Sequence, residues 1–174
     1  MNYITKDIEA HFARVKLLAL DVDGVLTDGG LYYSNSGEEL KKFNVKDGQG
    51  IKLVMQSGVK VAIISANNST ATLHRAKKLG IERAFVGIED KLATLKKISQ
   101  ELNLSLDRVA YIGDDLKDLP VLQAVGCPIT VADAIPENKA SAVYVTELKG
   151  GRGCVREICN LLLQVRTKSK ILLN

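Results

Sequence analysis

Leu18-Ala-Leu-Asp21-Val-Asp23-Gly24-Val-Leu-Thr27-Asp28-Gly29 decides how this chain is read. The apolar run at residues 15–20 predicts a short buried strand, and two carboxylates two residues apart follow it. Residues i and i+2 of a strand share a face, so Asp21 and Asp23 point together into one site at its carboxyl end. Gly24 and Gly29 leave the backbone free to turn around them. Two carboxylates at the end of a buried strand are costly unless a metal or a reaction uses them. The plain alternative is a solvated turn rich in Asp and Gly.

Strand and helix alternate on either side of this stretch. Ile4, Ile8 and Phe12 recur at spacing four and predict a short amphipathic N-terminal helix. Residues 31–45, with the turn Ser34-Asn-Ser-Gly37, read as a β-hairpin flap. Asp47 caps a helix running to Gln56 and ended by Gly58. A second buried strand covers residues 59–64, a helix 69–79 stops at Gly80, and a brief strand covers 84–86. A helix over 91–102 precedes a strand at 109–112. Pro120 fits the first turn of a helix ending near Gly126. Short strands at 129–131 and 143–145 lead to a last helix over 154–165. Such alternation implies a three-layer α/β domain over residues 1–174, with a central parallel sheet covered on both faces.

Composition bounds the setting. The 174 residues, 46% hydrophobic and 25% charged, suit a globular protein with a sizeable core. No apolar run is as long as a membrane span, and the N-terminus lacks a signal-peptide core, so a cytoplasmic protein with no membrane partner is expected. Cys127, Cys154 and Cys159 form no CxxC and are expected as reduced core fillers. The net charge of +4 is spread along the chain. The short basic cluster Arg166, Lys168 and Lys170 reads as a solvated tail, with no nucleic-acid partner expected. His11 and His74 have no partners at metal-ligand spacing and are read as structural or exposed.

Three further polar clusters fall where strands end. Ser65 follows the second strand, Gly113-Asp114-Asp115-Leu-Lys-Asp118 follows the strand at 109–112, and Lys91 opens the helix before it. Singly, Ser65 is a turn or cap residue, Lys91 a solvated helix lysine, and the Asp pair a favourable helix start. Together they gather where ligands bind in open α/β sheets. The chemistry they suit is phosphoryl transfer. Asp21 would attack phosphorus, and Asp23 would protonate the leaving oxygen and then deprotonate water. Mg²⁺ suits a site of oxygen donors, held by Asp21, Asp114 and a carbonyl near Asp23. Ser65 would hydrogen-bond the phosphoryl group and Lys91 neutralise its charge, while Asp115 or Asp118 supports the metal from behind or orients Lys91.

The ordered set Asp21-Val-Asp23-Gly-Val-Leu-Thr27, Ser65, Lys91 and Gly113-Asp-Asp-x-x-Asp118 resembles the four motifs of the haloacid dehalogenase superfamily. Phe43-Asn-Val-Lys46-Asp47-Gly48-Gln-Gly50 and Gly150-Gly-Arg152-Gly-Cys154-Val-Arg156-Glu157 are similar to segments of its 3-deoxy-D-manno-octulosonate 8-phosphate phosphatases. The resemblance implies a Rossmann-like fold without a cap domain and a Mg²⁺-dependent phosphatase acting through an aspartyl-phosphate. The substrate would be a sugar acid phosphate of lipopolysaccharide precursor synthesis. It also implies a homotetramer in which the hairpin and the C-terminal segment, about residues 150–174, close neighbouring sites. Tyr32 and Tyr33 would pack between subunits. Asn67, Lys46, Asp47, Arg75 and Arg152 are the candidate substrate binders. Ala66-Asn67 stands where the family carries Gly-Arg, Lys46 where it often has Arg, and Cys154 where it has Ala. The first two exchange a bidentate fork for weaker donors. They keep a nine-carbon sialic-type sugar acid 9-phosphate open as substrate. From another class, a phospho-accepting receiver or an assembly module is weighed, and Asp23 argues for turnover over a long-lived phosphoaspartate.

Overall fold

The structure, a computed structural model, describes residues 4–171. Helix α1 (Lys6–Arg14) is capped by Thr5, whose hydroxyl accepts the Ile8 N–H. Strand β1 (Leu17–Leu20) follows, buried throughout. A minimal antiparallel hairpin, β2 (Tyr32–Tyr33) and β3 (Glu39–Leu40), turns at Gly37 with φ +83°. Next come α2 (Val45–Gln56), β4 (Lys60–Ile64), α3 (Thr70–Leu79), β5 (Arg83–Phe85), α4 (Lys91–Glu101) and β6 (Val109–Gly113). A 3-10 turn, Leu116–Asp118, leads into α5 (Leu119–Leu122). Strand β7 (Cys127–Thr130), α6 (Pro136–Ser141), β8 (Tyr144–Val145) and α7 (Cys154–Ile171) complete the described residues.

The main sheet has the order β5-β4-β1-β6-β7-β8, every pair parallel. Its central strands are continuous apolar runs because both faces are buried. Leu18, Leu20, Val61, Ile63 and Ile112 face a layer that includes Phe12 of α1, Ile51 of α2, Ala76 of α3 and Ile158 of α7. Leu17, Ala19, Ala62, Ile64 and Tyr111 face Leu95 of α4 and Val121 of α5. Burial of each Leu or Ile contributes roughly 1.5–3 kcal/mol, so these two clusters hold the layers together. The expected three-layer architecture, parallel sheet and hairpin are all present. Between Asp21 and β4 there is only the hairpin and α2.

Local details differ from expectation. Asn44, not Asp47, caps α2: its side chain accepts the Lys46 N–H at 2.8 Å. Asp47 is 1% exposed and accepts the Arg156 N–H at 2.7 Å, so it caps the start of α7 from a different helix. Helix α7 continues to Ile171, beyond the expected end at residue 165. Helix α5 is a single turn ending well before Gly126. Helix α6, Pro-Glu-Asn-Lys-Ala-Ser, carries no apolar period to announce it. All three cysteines are free and buried, and burial pushes their thiols up to about 12. His11 is structural, its Nδ1 lying 2.6 Å from the Gly126 carbonyl.

Candidate active site

Strand β1 sits between β4 and β6, and the loops after all three open on one crevice at the sheet's carboxyl edge. Asp21 continues the β1 ladder, its N–H donating to the Ile112 carbonyl at 3.0 Å. The chain then folds back on itself. The N–H groups of Val25 and Thr27 both donate to the Val22 carbonyl, and Gly24 takes φ +87°. A Cβ on Gly24 would lie 2.0 Å from Asp114 Oδ2, so the absence of a side chain there admits Asp114 to the site.

Lys91 is held at the first position of α4, whose N-cap Asp90 accepts the Ala93 N–H at 2.8 Å. Its buried ammonium lies 2.9 Å from Asp21 Oδ1 and 2.6 Å from Asp118 Oδ1. Burial alone would lower the Lys91 pKa, but the two carboxylates reverse this and raise it. Asp118 is fully engaged. Oδ1 also accepts the Tyr111 hydroxyl at 2.6 Å, and Oδ2 accepts the N–H groups of Asp114 and Asp115 at 2.9 and 3.2 Å. A Cβ on Gly113 would lie 2.4 Å from Asp118, so this position too is closed to a side chain. Ser65 is anchored by strand-like bonds, N–H to the Phe85 carbonyl and carbonyl to the Ile88 N–H. Its Oγ accepts the Asn67 N–H at 3.3 Å.

Oxygens of Asp21, Asp114 and Asp118 lie within 4.8 Å of one another. Burial, reinforced by the neighbouring carboxylates, raises the pKa of both Asp21 and Asp114. Asp114 Oδ1 is buried and has no hydrogen-bond partner among the described residues. An orphaned buried carboxylate oxygen beside a second carboxylate is the environment of a hard dication's oxygen ligands, so the residues present fit Mg²⁺. The Asp23 carboxylate stands apart from this cluster, paired with Lys41 and 3.5 Å from the Thr27 hydroxyl.

Asp21, Asp23, Ser65, Lys91, Asp114, Asp115 and Asp118 all line one cleft of about 590 Å³, with Asn67 and Lys117 on its rim. Asp115 caps the 3-10 turn, its Oδ1 accepting the Leu116 N–H at 2.7 Å. The other expected substrate binders lie outside this cleft. Asp47 is buried against α7. Arg75 donates to the Asn44 carbonyl at 3.0 Å and packs over the Phe43 ring. Arg152 is 3.6 Å from Asp28, a carboxylate also bonded by Lys42 at 2.6 Å, and Lys46 is exposed on the first turn of α2. Sequence reading missed Tyr111, Lys41, Glu39 and Lys117. A tyrosine inside a fully buried strand needs a partner for its hydroxyl, which was the available signal for Tyr111. Glu39 and Lys41 share the i, i+2 spacing of one strand face, the same signal that singled out Asp21 and Asp23.

Comparison with known proteins agrees with this geometry. Residues 89–158 match the family model described as haloacid dehalogenase-like hydrolase. The chain is 44% identical over 165 residues to the 3-deoxy-D-manno-octulosonate 8-phosphate phosphatase of Escherichia coli (strain B / BL21-DE3), covering 95% of this chain and 88% of that protein. The crystal structure of the Yersinia pestis phosphatase of that name superposes with a TM-score of 0.92 at 45% identity, covering 95% of this chain and 89% of that one. The Moraxella catarrhalis phosphatase, solved with a magnesium ion, a phosphate ion and a KDO molecule, superposes with a TM-score of 0.92 at 38% identity, covering 98% of each chain. With the site geometry and near full-length identity in agreement, this chain belongs to the 3-deoxy-D-manno-octulosonate 8-phosphate phosphatases of the haloacid dehalogenase-like hydrolases.

Proposed function

We propose that this chain hydrolyses 3-deoxy-D-manno-octulosonate 8-phosphate to the free sugar acid and phosphate, with Mg²⁺ as cofactor. The observation that carries it is Lys91 bridging Asp21 and Asp118 at the floor of a cleft that also holds Ser65 and Asp114. Asp21 and Asp114, with the backbone near Asp23, would hold the metal, which when bound supplies positive charge against the phosphate oxygens. Lys91 grips Asp21 Oδ1 and leaves the other oxygen to attack phosphorus. As the Asp21–phosphorus bond forms, the bond to the sugar oxygen breaks and Asp23 gives that oxygen its proton. Asp23 then takes a proton from the water that cleaves the aspartyl-phosphate. Ser65 Oγ donates to the transferring phosphoryl group, and Lys91 balances the charge it brings. Asp118 keeps Lys91 in position.

The substrate's own carboxylate needs a cation on the rim. Among the described cleft-lining residues, Lys117 is the cation without a protein carboxylate partner, whereas Lys91 has two. The enzyme would work as a cytoplasmic homotetramer whose hairpins and C-terminal segments close neighbouring sites. Exposed Leu31, Tyr33 and Leu40 on or beside the hairpin support that assembly, and no described helix is long and apolar enough to cross a membrane. An active monomer in sedimentation would remove the assembly from this picture.

The test is Mg²⁺-dependent phosphate release from the eight-carbon sugar acid phosphate beside nine-carbon sugar acid 9-phosphates and hexose phosphates, with Asp21→Asn as control. Fast release from the eight-carbon substrate, abolished in the variant, is expected. Preference for another phosphate would keep the mechanism and change the substrate. No release from any of them would sink the proposal.

A further inference from the structure

The hairpin brings a buried cation to the acid–base residue. Lys41, the residue immediately after β3, has a side chain only 2% exposed, an unusual burial for a lysine. Its ammonium donates to Asp23 Oδ1 and lies 3.2 Å from Glu39 Oε1. Glu39 is in turn held by the Asn67 side-chain amide, at 3.3 Å to Oε1 and 3.5 Å to Oε2. A chain of contacts therefore runs from the loop after β4, through the flap, to the loop after β1. Such burial is stable only while each charge keeps its partner.

We propose that Lys41 is a positioning residue for the reaction, fixing the Asp23 carboxylate and stabilising the negative charge left there when the leaving oxygen takes its proton. The inference rests on the function proposed above, in which Asp23 is the proton donor. When the phosphorus–oxygen bond breaks, its electron pair goes to the sugar oxygen and the Asp23 proton follows. The resulting carboxylate then faces an ammonium already in place, with no reorganisation needed. Glu39 aims Lys41, and the neutral Asn67 secures Glu39 without competing for Lys41's role as its counter-charge. An arginine at position 67 would compete. The flap thus belongs to the proton-transfer machinery as well as to the walls of the site.

The role predicts a dependence on the leaving group that a structural lysine would not show. An alkoxide must be protonated to depart; a p-nitrophenolate departs without help. The experiment compares kcat/KM, which reports on steps up to departure of the alcohol, for a sugar phosphate and for p-nitrophenyl phosphate. Lys41→Met should lower the sugar phosphate value about ten- to a hundredfold, while the aryl value stays within about threefold. Lys41→Arg should restore much of the loss. Equal losses on both esters, or no loss on either, would overturn the proposal. If Lys41→Met fails to fold, Lys41→Arg and Glu39→Gln carry the same ratio test, with a smaller selective loss expected for each. If the wild type rejects the eight-carbon sugar acid phosphate, the proposed substrate fails. The ratio is then read on whichever alkyl phosphate it does hydrolyse, so the two ideas fall separately.

Discussion

Asp118 touches no reacting atom in the proposed reaction, yet four groups depend on it: Lys91, the Tyr111 hydroxyl and two backbone N–H groups. Asp118→Ala would strand a buried ammonium beside one remaining carboxylate and orphan the Tyr111 hydroxyl. The expected cost is roughly 3–5 kcal/mol of stability, read as a shift in the urea midpoint. A loss below about 1 kcal/mol would show that Lys91 and Tyr111 have other partners available. Asp21→Asn should behave in the opposite way. It removes the attacking oxygen, so turnover should fall at least about a thousandfold. Burial and the neighbouring Asp118 carboxylate already penalise ionised Asp21, so a neutral amide there should not lower the metal-free melting temperature. A variant that is inactive because it has unfolded would contradict this. Asp21, Ser65 and Lys91 were legible in the sequence because each sits beside a strand or helix boundary. Lys41 and Asn67 owe their contacts to partners in distant loops, and no local pattern encodes such pairs.

At the scale of elements, the glycine-rich segment before α7 clamps the loop after β1. The Gly151 N–H and the Cys154 thiol both donate to the Val25 carbonyl, at 2.9 and 3.3 Å. A Cβ on Gly150 would lie 1.8 Å from the Gly24 carbonyl oxygen, contact that no rotamer relieves. Gly150→Ala must therefore push the catalytic loop away, at a cost of roughly 1–3 kcal/mol in stability and with a larger fall in kcat than in substrate affinity. Unchanged kinetics would mean that the loop's position is not set from this side. The same segment was read from sequence as a motif reaching a neighbouring subunit. The structure gives it a part within its own subunit, through Asp47 at the start of α7 and Gly150 under the catalytic loop. The strands and long helices were legible because both-face burial and regular spacing leave a mark. Asn44 takes the α2 cap expected of Asp47 because either residue type caps a helix, and only the packing of α2 against α7 decides which does.

For the whole molecule, the three-layer arrangement followed from alternation of strand and helix, and the site from what those strands deliver to one edge. Its electrostatics could be judged only once the side chains were in position, because burial sets them. Burial and neighbouring carboxylates raise the pKa of Asp21 and Asp114, so the metal-free fold favours their protonated forms. A carboxyl whose pKa is higher in the folded than in the unfolded chain gives stability that is present below its unfolded value. That stability is lost as the pH climbs through the folded value. The metal-free protein should therefore weaken between mildly acidic and mildly alkaline buffer. Mg²⁺ acts in the other direction, because it binds the ionised carboxylates and competes with their protons. At about a hundred times its dissociation constant it should add about 2.7 kcal/mol, which for a chain of this size is roughly 5–10 °C in melting temperature. Melting curves with Mg²⁺ and with EDTA across that pH range should show the gain growing with pH. Asp114→Asn should flatten both the gain and the slope of the metal-free curve. A gain that is constant with pH, or one that survives Asp114→Asn, would mean that the stabilising ion binds elsewhere.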